Sequence, residues 1–556
     1  MDLKEEAGRR DAQGNITPGE PRSERVASQL LPEVACMANT PGGGALLVGV
    51  GDDGELIGAA TDAEWLRYRL YELSQRRLTV DVSEVRILRD SAEFRLLAIV
   101  VPQALEPIRV NNRISWRVDD HCVEIDAATW FERHRQGWGI DWSQQASAVP
   151  TSCARAHALE LARGFMAAHQ SHGATELETV PDAELLRRLN VATDAGFLTN
   201  AGVLLFVGRD VPSVDYMRRD VAGGETLVRL RQSGRSLLEE LAAVFEAMDL
   251  NIVTRQVLTG MAMQQVREIP LRAAREAVVN GVAHRDWTST QPTVVEHVGR
   301  TLRVTSPGGF FGGVTSENIL THPSSSRNTA LTQALADIGI AEREGIGVDR
   351  MVHDMIAVGH NPPDIHEIEG PHVRTALIGD LIDTPWIQWL AKLSPVELSR
   401  DVSVLLVLKR LVTVGWVDIE RLAPIIQLRP DEAQATMVQA CRLTLGGDPV
   451  LERVNGVPET AEPVWTLSAT AKKYLETLDA EAGHQRVWPT RTALARGYAR
   501  ARGRISSTEL GSLAHAHPSN MGRTLKALES EGALRPSTEA RSGRGFYYIS
   551  VDDAHV

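Results

Sequence analysis

Three polar side chains recur at steps of four residues in one otherwise apolar segment, "REAVVNGVAHRDW", which runs from Arg275 to Trp287. They are Glu276, Asn280 and His284. Four residues of an α-helix turn through one full circle plus about 40°, so the three side chains lie along one slowly drifting face. An Asn carbonyl oxygen suits a hard cation such as Mg²⁺, and a carboxylate near a water molecule can act as a general base. The stripe predicts a polar site on a helix; the alternative is a half-exposed helix with ordinary solvated side chains.

The neighbouring elements are expected to hold this stripe against a sheet. The opposite helix face carries four apolar residues that can pack on strands: Leu271, Ala274, Val278 and Val282. Pro270 suits the first helical turn. The next stretch, "PTVVEHVGRTLRVTSP", alternates in polarity and predicts a β-hairpin that turns at Gly299-Arg300. Upstream, "AGVLLFVG" predicts a strand, and residues 236–263 predict one long helix.

Two glycine-rich turns follow, and glycine lets the backbone approach a ligand closely. The turn "SPGGF" holds Ser306, Gly308 and Gly309, and "GIG" holds Gly345 and Gly347 just before the helical "VDRM". Backbone N–H groups at a helix start favour anions, so the second turn predicts a phosphate contact. The earlier stretch "PGGGALLVGVGDDG" leads from helix into strand, the reverse of a phosphate loop, and is interpreted as tight turns. The chain has no GK[ST] and no DExH sequence, which argues against a helicase motor.

The chain changes character from Ser394 onward. Three consecutive helices and two strand-like segments are predicted, and a second copy of this plan runs from Thr490. A helix-turn-helix followed by a β-hairpin is the winged-helix plan. In the second copy, Ser506 and Glu509 form an S-x-x-E capping box, and Pro518 begins the recognition helix.

The second winged helix is expected to bind the major groove of double-stranded DNA. The exposed face of its recognition helix is polar and basic: Ser519, Asn520, Arg523 and Lys526. The buried face is apolar: Met521, Leu525 and Leu528. Arg541 and Arg544 lie in the expected wing. The alternative is a winged helix that contacts protein, and the acidic first copy is expected to pack or dimerise.

Charge is unevenly distributed. The net charge of −13 argues against uniform coating of nucleic acid. Between His484 and Ser550, however, eleven Arg or Lys stand against four Asp or Glu, a local charge of +7 that favours phosphate contacts.

The four cysteines are far apart in sequence and form no CxxC pair: Cys36, Cys122, Cys153 and Cys441. This spacing argues against a zinc site or a disulfide framework and fits a reducing cytosol. No run of about 18 apolar residues exists, so no membrane span is expected.

The order of polar helix, hairpin and glycine turns resembles the ATP-binding fold of the GHKL group, which includes gyrase, Hsp90, histidine kinases and MutL. In that fold a helix carries a Glu and, four residues on, an Asn that ligates Mg²⁺ held by the phosphates. The resemblance implies ATP and Mg²⁺ as cofactors, Glu276 as the catalytic residue and Asn280 as the metal ligand. His284 and the two glycine turns would contact the nucleotide. Where GHKL proteins read adenine with an Asp, this chain has Ser306, a neutral and therefore weaker acceptor.

A closer resemblance is to a bacterial family that joins a Schlafen-type AlbA domain to a divergent GHKL-like domain, once described as a RecG-like helicase end. Five motifs occur in the order of that family: "ACMANTPGGGALLVGVGDDGELIG", "LTNAGVLLF", "REAVVNGVAHRDW", "SPGGF" and "SSRNTALTQALADIGIAEREGIGVDRM". The resemblance implies a multidomain α+β chain. Its expected parts are a flexible tail over 1–24, an AlbA-like α/β domain over 25–135, a GHKL-like α/β sandwich over 150–380, and winged helices over 390–480 and 484–556.

Some Schlafen relatives are ribonucleases with an acid-rich "ExxxxExK" entry to the first helix. Here "GEPRSERVAS" supplies Glu20 and Glu24 but lacks the lysine. A carboxylate pair without its lysine makes a poor metal-dependent nuclease.

The leading hypothesis is therefore an ATP-binding transcriptional regulator whose winged helices bind duplex DNA under nucleotide control. We expect a cytoplasmic, nucleoid-associated homo-oligomer with no membrane partner. The alternative is an enzyme, either an ATPase or a Schlafen-like nuclease, with a role in phage defence.

Overall fold

The chain divides into two units, Met1–Asp141 and Trp142–Val556. The computed structural model describes residues 2–10, 15–51, 54–89, 92–104, 106–118, 121–127, 130, 141–169, 180–259, 262–342, 345–538 and 545–551. In these segments, no helix is both long and apolar enough to cross a bilayer.

The first unit is built on a four-stranded sheet with the order β1-β2-β4-β3, in which β1 and β2 are parallel and the other pairs antiparallel. Its strands are β1 (Asp2–Lys4), β2 (Gly44–Val48), β3 (Asp81–Arg89) and β4 (Ala92–Val101), with a separate hairpin of β5 (Ile114–Val118) and β6 (His121–Ile125). Its helices are α1 (Glu24–Asn39) and α2 (Ala63–Leu73). The core contains Val34, Leu46, Leu70 and Ile99, all buried.

The motif "NTPGGG", which begins at the last residue of α1, has a structural role. Asn39 is fully buried, and its side-chain amide donates to the carbonyl oxygens of Ile108 at 2.8 Å and Ser115 at 3.0 Å. The Ile108 N–H donates back to Asn39 Oδ1 at 2.8 Å. Gly43 has φ +73°, and a Cβ there would overlap the carbonyl oxygen of Val101. These contacts fit the tight-turn interpretation of this glycine-rich stretch.

Two expectations for the first unit are wrong. Residues 2–4 are not a flexible tail, because they form β1, and the buried carboxylate of Glu6 accepts the N–H groups of Ala60 at 2.6 Å and Thr61 at 2.8 Å. Cys36 and Cys122 form a disulfide despite a separation of 86 residues. The large sequence separation of the two cysteines argued against a disulfide, but folding brings their Cα atoms within 6.1 Å of each other.

The second unit begins with a mixed sheet of six strands in the order β10-β9-β13-β14-β16-β15. Only the β9–β13 pair of this sheet is parallel. The strands of this region are β7 (Ala146–Pro150), β8 (Phe197–Thr199), β9 (Val214–Arg219), β10 (Val228–Leu230), β11 (Thr254–Thr259), β12 (Ala262–Arg267), β13 (Thr293–Val298), β14 (Thr301–Pro307), β15 (Asp364–Ile368) and β16 (His372–Ile378).

Its helices are α3 (Ala156–His169), α4 (Asp182–Arg188), α5 (Asn200–Phe206), α6 (Leu237–Asn251), α7 (Leu271–Ala283), α8 (Thr329–Asp337) and α9 (Gly347–Ala357). The polar stripe lies on α7, which packs against β13, β14 and β16 through small and branched apolar side chains such as Ala277 and Val278. This is the mixed α/β architecture that the sequence predicts.

Local predictions in this region were partly correct. The hairpin that turns at Gly299-Arg300 is confirmed by β13 and β14. The segment predicted as the strand "AGVLLFVG" instead forms α5, because the Thr199 hydroxyl accepts the Gly202 N–H at 3.2 Å and caps a helix. The long helix predicted over 236–263 ends at Asn251, and the alternating residues beyond it form the β11–β12 hairpin.

Nine helices and eight short strands make up the rest of the second unit among the described residues. The helices are α10 (Thr384–Leu390), α11 (Val396–Ser399), α12 (Val402–Val414), α13 (Ile419–Ile426), α14 (Pro430–Ala440), α15 (Ala469–Ala482), α16 (Arg491–Arg502), α17 (Ser507–Leu513) and α18 (Gly522–Ser530). The strands are β17 (Leu393–Ser394), β18 (Thr444–Leu445), β19 (Asp448–Pro449), β20 (Leu451–Arg453), β21 (Trp465–Leu467), β22 (Arg504–Ile505), β23 (Leu534–Pro536) and β24 (Tyr548–Ser550). Single 3-10 turns occur at Trp142–Gln144, Thr151–Cys153 and Pro518–Asn520.

A set of three helices with paired strands occurs twice. In the first, α12–α14 are followed by β20 and β21; in the second, β22 lies between α16 and α17 and pairs with β24, and β23 and β24 follow α18. We call these the first and second helical modules. That they act as winged helices stays a prediction.

Fewer of the basic side chains in residues 484–550 are available for a ligand than their number suggests. Arg486 is nearly buried and pairs with Asp383 at 2.6 Å and Asp479 at 3.0 Å. Arg502 pairs with Asp418 at 3.0 Å and with Glu462 at 3.4 Å. Arg486 therefore joins the start of α10 to α15, and Arg502 joins the second helical module to the first, so neither arginine is available to meet phosphate.

A buried carboxylate fixes the start of β9. Glu240 on α6 is 6% exposed, and its Oε2 accepts the N–H groups of Ser213 at 2.9 Å and Val214 at 2.8 Å. Burial raises the pKa of Glu240 to about 7 from an ordinary value of 4.5.

This pKa predicts that Glu240 stabilises the fold less as pH rises. Between pH 4.5 and 7, Glu240 is ionised in the unfolded chain but still protonated in the folded chain. Its contribution to the free energy of unfolding is therefore complete below pH 4.5 and lost above pH 7. Glu240→Gln stays neutral throughout. The stability of the wild type relative to Glu240→Gln should fall by about 3 kcal/mol across this window, measured by thermal unfolding at several pH values. Glu246→Gln, an exposed site on α6, controls for loss of charge; a pH-independent Glu240 difference would contradict the assignment.

Candidate functional site

An open cleft lies between α7, the sheet and the start of α9. It holds about 1190 Å³ of empty space, its open mouth included. Seven of the eight residues that the sequence predicts for the nucleotide site line it: Glu276, Asn280, His284, Ser306, Gly309, Gly345 and Gly347. The eighth, Gly308, lies in the same turn as Gly309. The structure thus brings the polar stripe and both glycine turns to one place.

Glu276 lies directly against the first residue of α9. A Cβ at Gly347 would overlap the Glu276 carboxylate, so the glycine is needed for this close approach. Burial raises the pKa of Glu276, opposed by a hydrogen bond from Asn280 and by the charges of Arg350 and Arg272. A carboxylate with a raised pKa beside a cleft can serve as a general base. The Asn280 amide donates to Glu276, which leaves the Asn280 carbonyl oxygen available for a cation.

His284 ends the stripe at the C-terminal cap of α7, where its backbone N–H donates to the backbone carbonyl oxygen of Asn280 at 3.1 Å. Burial lowers the pKa of His284 to about 4, and the charge of Arg327 adds to the effect. The imidazole is therefore neutral near pH 7, and it lines the cleft without adding positive charge.

Strands β14, β15 and β16 form the floor of the cleft. Five side chains on one face of these strands line it: Val304, Ser306, Ile365, Val373 and Thr375. Sequence reasoning found Ser306 but missed Thr375, whose strand "HVRTALI" carries only a weak alternation. Helix α7 comes close to this floor at Gly281, where a Cβ would lie 2.7 Å from Val304 Cγ1.

The first glycine turn is held by polar contacts. Gly308 has φ +93°, and a Cβ there would lie 3.0 Å from the Asp286 backbone nitrogen. The Gly309 carbonyl oxygen accepts from Arg327 at 2.9 Å, and the Phe310 N–H donates to the Glu367 carboxylate at 3.0 Å. These contacts hold the turn at the cleft wall.

Residues 310–325, here called the cleft loop, cover one side of the cleft and are bonded to the first helical module. Gln427 takes part in three hydrogen bonds with the loop. The side-chain oxygen of Gln427 accepts from the Leu320 N–H at 2.8 Å, and the side-chain amide of Gln427 donates to the Ser316 carbonyl oxygen at 2.8 Å. The backbone carbonyl oxygen of Gln427 accepts from the Thr321 hydroxyl at 2.9 Å. Gln427 caps α13 in a left-handed conformation with φ +55°. Nothing in the sequence indicated this residue.

Helix α9 makes a second connection between the cleft and the first helical module. Its first residue, Gly347, lines the cleft, while Val352 and Ile356 lie in the core of the module beside α12 residues such as Leu405 and Leu408. One rigid helix therefore contacts both the cleft and the module.

The second helical module presents the predicted recognition helix. Ser506 and Glu509 form the expected capping box, and a 3-10 turn at Pro518–Asn520 precedes α18. The predicted pattern of burial is confirmed: the exposed residues are Ser519, Asn520, Arg523 and Lys526, and the buried ones are Met521, Leu525 and Leu528. Arg541 and Arg544 lie outside the described residues.

The carboxylates considered for a nuclease do not form a recognisable centre. Glu20 and Glu24 are exposed, and Glu24 pairs with Arg69 at 2.8 Å. Within the described segments, the carboxylate clusters compact enough for a metal lie elsewhere, one around Asp383 and one around Asp418, and arginines already pair with both.

Three family models match separate parts of the chain. Residues 2–126 match "Schlafen, AlbA_2", and residues 295–374 match "Putative ATP-dependent DNA helicase recG C-terminal", a family of HATPase type. Residues 384–476 match a family of unknown function, DUF5635. No curated protein matches the chain.

The chain is also similar to a solved structure over most of that structure's length. It is the crystal structure of the DIP2311 protein from Corynebacterium diphtheriae, with 36% sequence identity and a TM-score of 0.55. The match covers 85% of this chain and 93% of that chain. The chain therefore belongs to the family of the DIP2311 protein and joins a Schlafen AlbA_2 domain to a RecG C-terminal-like HATPase domain.

Proposed function

We propose that the chain is an ATP-binding regulator of transcription in which nucleotide binding changes how the second helical module meets duplex DNA. The observation that carries the proposal is the cleft loop, which lines the candidate nucleotide site and is hydrogen-bonded to Gln427 of the first helical module. A ligand that moves this loop would bias the arrangement of the modules, provided that it binds one arrangement more tightly than another.

The chemistry of the cleft fits a magnesium nucleotide. Among the described residues its lining contains no Lys or Arg, so phosphate charge would have to be balanced by a cation and by backbone N–H groups. Asn280 offers an oxygen ligand for Mg²⁺. Gly345 and Gly347 precede or begin α9, where the helix dipole favours an anion. The HATPase-type family match supports the same ligand class.

We propose nucleotide hydrolysis as a second function, and the position of Glu276 is the observation that favours it. Glu276 has a raised pKa and its carboxylate lies at the start of α9, next to the backbone proposed to hold phosphate. In this position it would orient and deprotonate a water molecule. We propose no motor activity, because the chain lacks GK[ST] and DExH sequences, and no nuclease activity.

The Asn280→Ala variant should lose magnesium-dependent nucleotide binding. In the wild type, Mg²⁺ should raise the affinity for a fluorescent ATP analogue at least about tenfold, equivalent to about 1.4 kcal/mol. Without the Asn280 oxygen this gain should vanish, as measured by fluorescence titration with Mg²⁺ and with a chelator.

Glu276→Gln is the matched control, since it keeps the shape of the side chain and its ability to accept from Asn280. It should bind the analogue nearly as tightly as the wild type and abolish hydrolysis, because a general base acts on the reaction and not on the ligand. An Asn280→Ala variant with an unchanged magnesium effect would refute the site.

Arg523→Gln should weaken binding to a mixed-sequence DNA duplex. If Arg523 contacts phosphate, the slope of log affinity against log salt should fall by about 0.9, and all sequences should be affected equally. If it contacts a guanine edge, specificity should relax at one base pair, at a cost of about 1–3 kcal/mol. Arg429→Gln, an exposed arginine of the first helical module, controls for net charge, and equal effects of the two substitutions would argue against α18 as the DNA contact.

Gln427→Ala should uncouple the two activities. A non-hydrolysable magnesium nucleotide is expected to change the DNA affinity of the wild type by at least about threefold, or about 0.7 kcal/mol of coupling. The substitution removes two of the three bonds to the cleft loop, so this change should disappear while each affinity, measured alone, persists. Gln439→Ala, at an exposed site on α14, should respond like the wild type; a normal response in Gln427→Ala would place the coupling elsewhere.

A further inference from the structure

Apart from the cleft loop, the lining of the cleft has two chemically different parts. Polar and backbone groups come from α7 and from the segment that leads into α9: Glu276, Asn280, Glu342, Gly345 and Gly347. The sheet floor contributes three branched apolar side chains and two hydroxyls: Val304, Ile365, Val373, Ser306 and Thr375. A flat, mostly apolar ring suits the floor, whereas phosphates and a cation suit the other part.

The sheet register fixes the two hydroxyls as neighbours. Val304 pairs with Thr375 and Ser306 pairs with Val373 across β14 and β16, so Ser306 and Thr375 are diagonal neighbours on one face. Ile365 pairs with Thr375 from the other side. Ser306 is 5% exposed and Thr375 is 8% exposed. Two nearly buried hydroxyls are thus set within an apolar surface, where a polar contact discriminates strongly between ligands.

Hydroxyls differ from a carboxylate in being able to reverse their hydrogen bonds. A Ser or Thr hydroxyl has one rotatable donor and two acceptor lone pairs, whereas an ionised carboxylate only accepts. The 6-amino edge of adenine presents a donor beside an acceptor, and the 6-oxo edge of guanine presents the reverse. The carboxylates among the described lining residues, Glu276 and Glu342, belong to the other part of the cleft.

We infer that Ser306 and Thr375 set the base specificity of the cleft, and that they accept 6-amino and 6-oxo purines alike. Both ATP and GTP are then ligands of this protein. The inference rests on the proposed nucleotide site and adds to it the class of base. The two hydroxyls rotate together to match either purine edge, so neither base leaves a buried polar group without a partner.

Competition binding on the full chain tests the inference. ATP, GTP and inorganic tripolyphosphate, each with Mg²⁺, displace a fluorescent ATP analogue. ATP and GTP should compete within about threefold of each other, and tripolyphosphate should be at least about tenfold weaker because it cannot contact the floor. In Ser306→Asp the fixed acceptor should favour ATP over GTP by at least about tenfold, since a charged acceptor binds the amine strongly and repels the 6-oxo group.

Ser306→Ala and Thr375→Val keep the inference testable if Ser306→Asp does not fold. Each removes one hydroxyl, and each should weaken ATP and GTP by the same factor, with thermal unfolding as the check on folding. A wild type that prefers ATP by more than about thirtyfold, a tripolyphosphate affinity equal to that of ATP, or a hydroxyl deletion that weakens one purine alone overturns the inference. Failure of every nucleotide, including the fluorescent probe, to bind instead overturns the proposed function itself.

Discussion

The close approach of α7 to α9 is the constraint on which the rest of the candidate site depends. The Glu276 carboxylate occupies the space that any side chain at position 347 would need. An ion pair between Arg272 and Asp354, at 2.7 Å, holds the same two helices together. The Glu276 carboxylate and the proposed phosphate would therefore both lie at the first residues of α9. Under the proposed function, Mg²⁺ would offset the repulsion between these two anions, and Asn280, one turn from Glu276, would supply an oxygen ligand for it.

The same helix extends this constraint into the C-terminal half of the chain. Beyond Gly347, α9 contributes Val352 and Ile356 to the core of the first helical module. Gln427 of that module is hydrogen-bonded to the cleft loop. Packed cores change between discrete arrangements rather than deform continuously. The cleft is connected to the first helical module both by α9 and by Gln427. Two such connections would transmit ligand binding to the module better than one.

Much of the candidate site could be predicted because its chemistry is local. The spacing of Glu276, Asn280 and His284 follows from helical geometry alone, and the hairpin and its glycine turn follow from alternation. The exposed and buried faces of α18 were also readable from the sequence. Contacts between residues far apart in the sequence could not be predicted in this way. Thr375 joins the floor only through the β14–β16 pairing, and Gln427 reaches the cleft loop from more than a hundred residues away. The Cys36–Cys122 disulfide was missed for the same reason.

Charge counting and apolar runs were less reliable guides. Arg486 and Arg502 raise the apparent positive charge of residues 484–550, yet each pairs with a carboxylate far away in the chain, Arg486 with Asp383 and Arg502 with Asp418. Most residues of the run "AGVLLFVG" are buried. A buried helix and a buried strand have similar apolar content, and here a capping hydroxyl favours the helix.

Hydrogen–deuterium exchange on the full chain, with and without a non-hydrolysable magnesium nucleotide, tests the central claim most directly. The account predicts slower exchange in the cleft loop and at the start of α9, together with a change around Gln427 at the end of α13. Asn280→Ala should abolish all three effects. Slower exchange confined to the first unit, or around the cleft with no change at α13, would contradict the account.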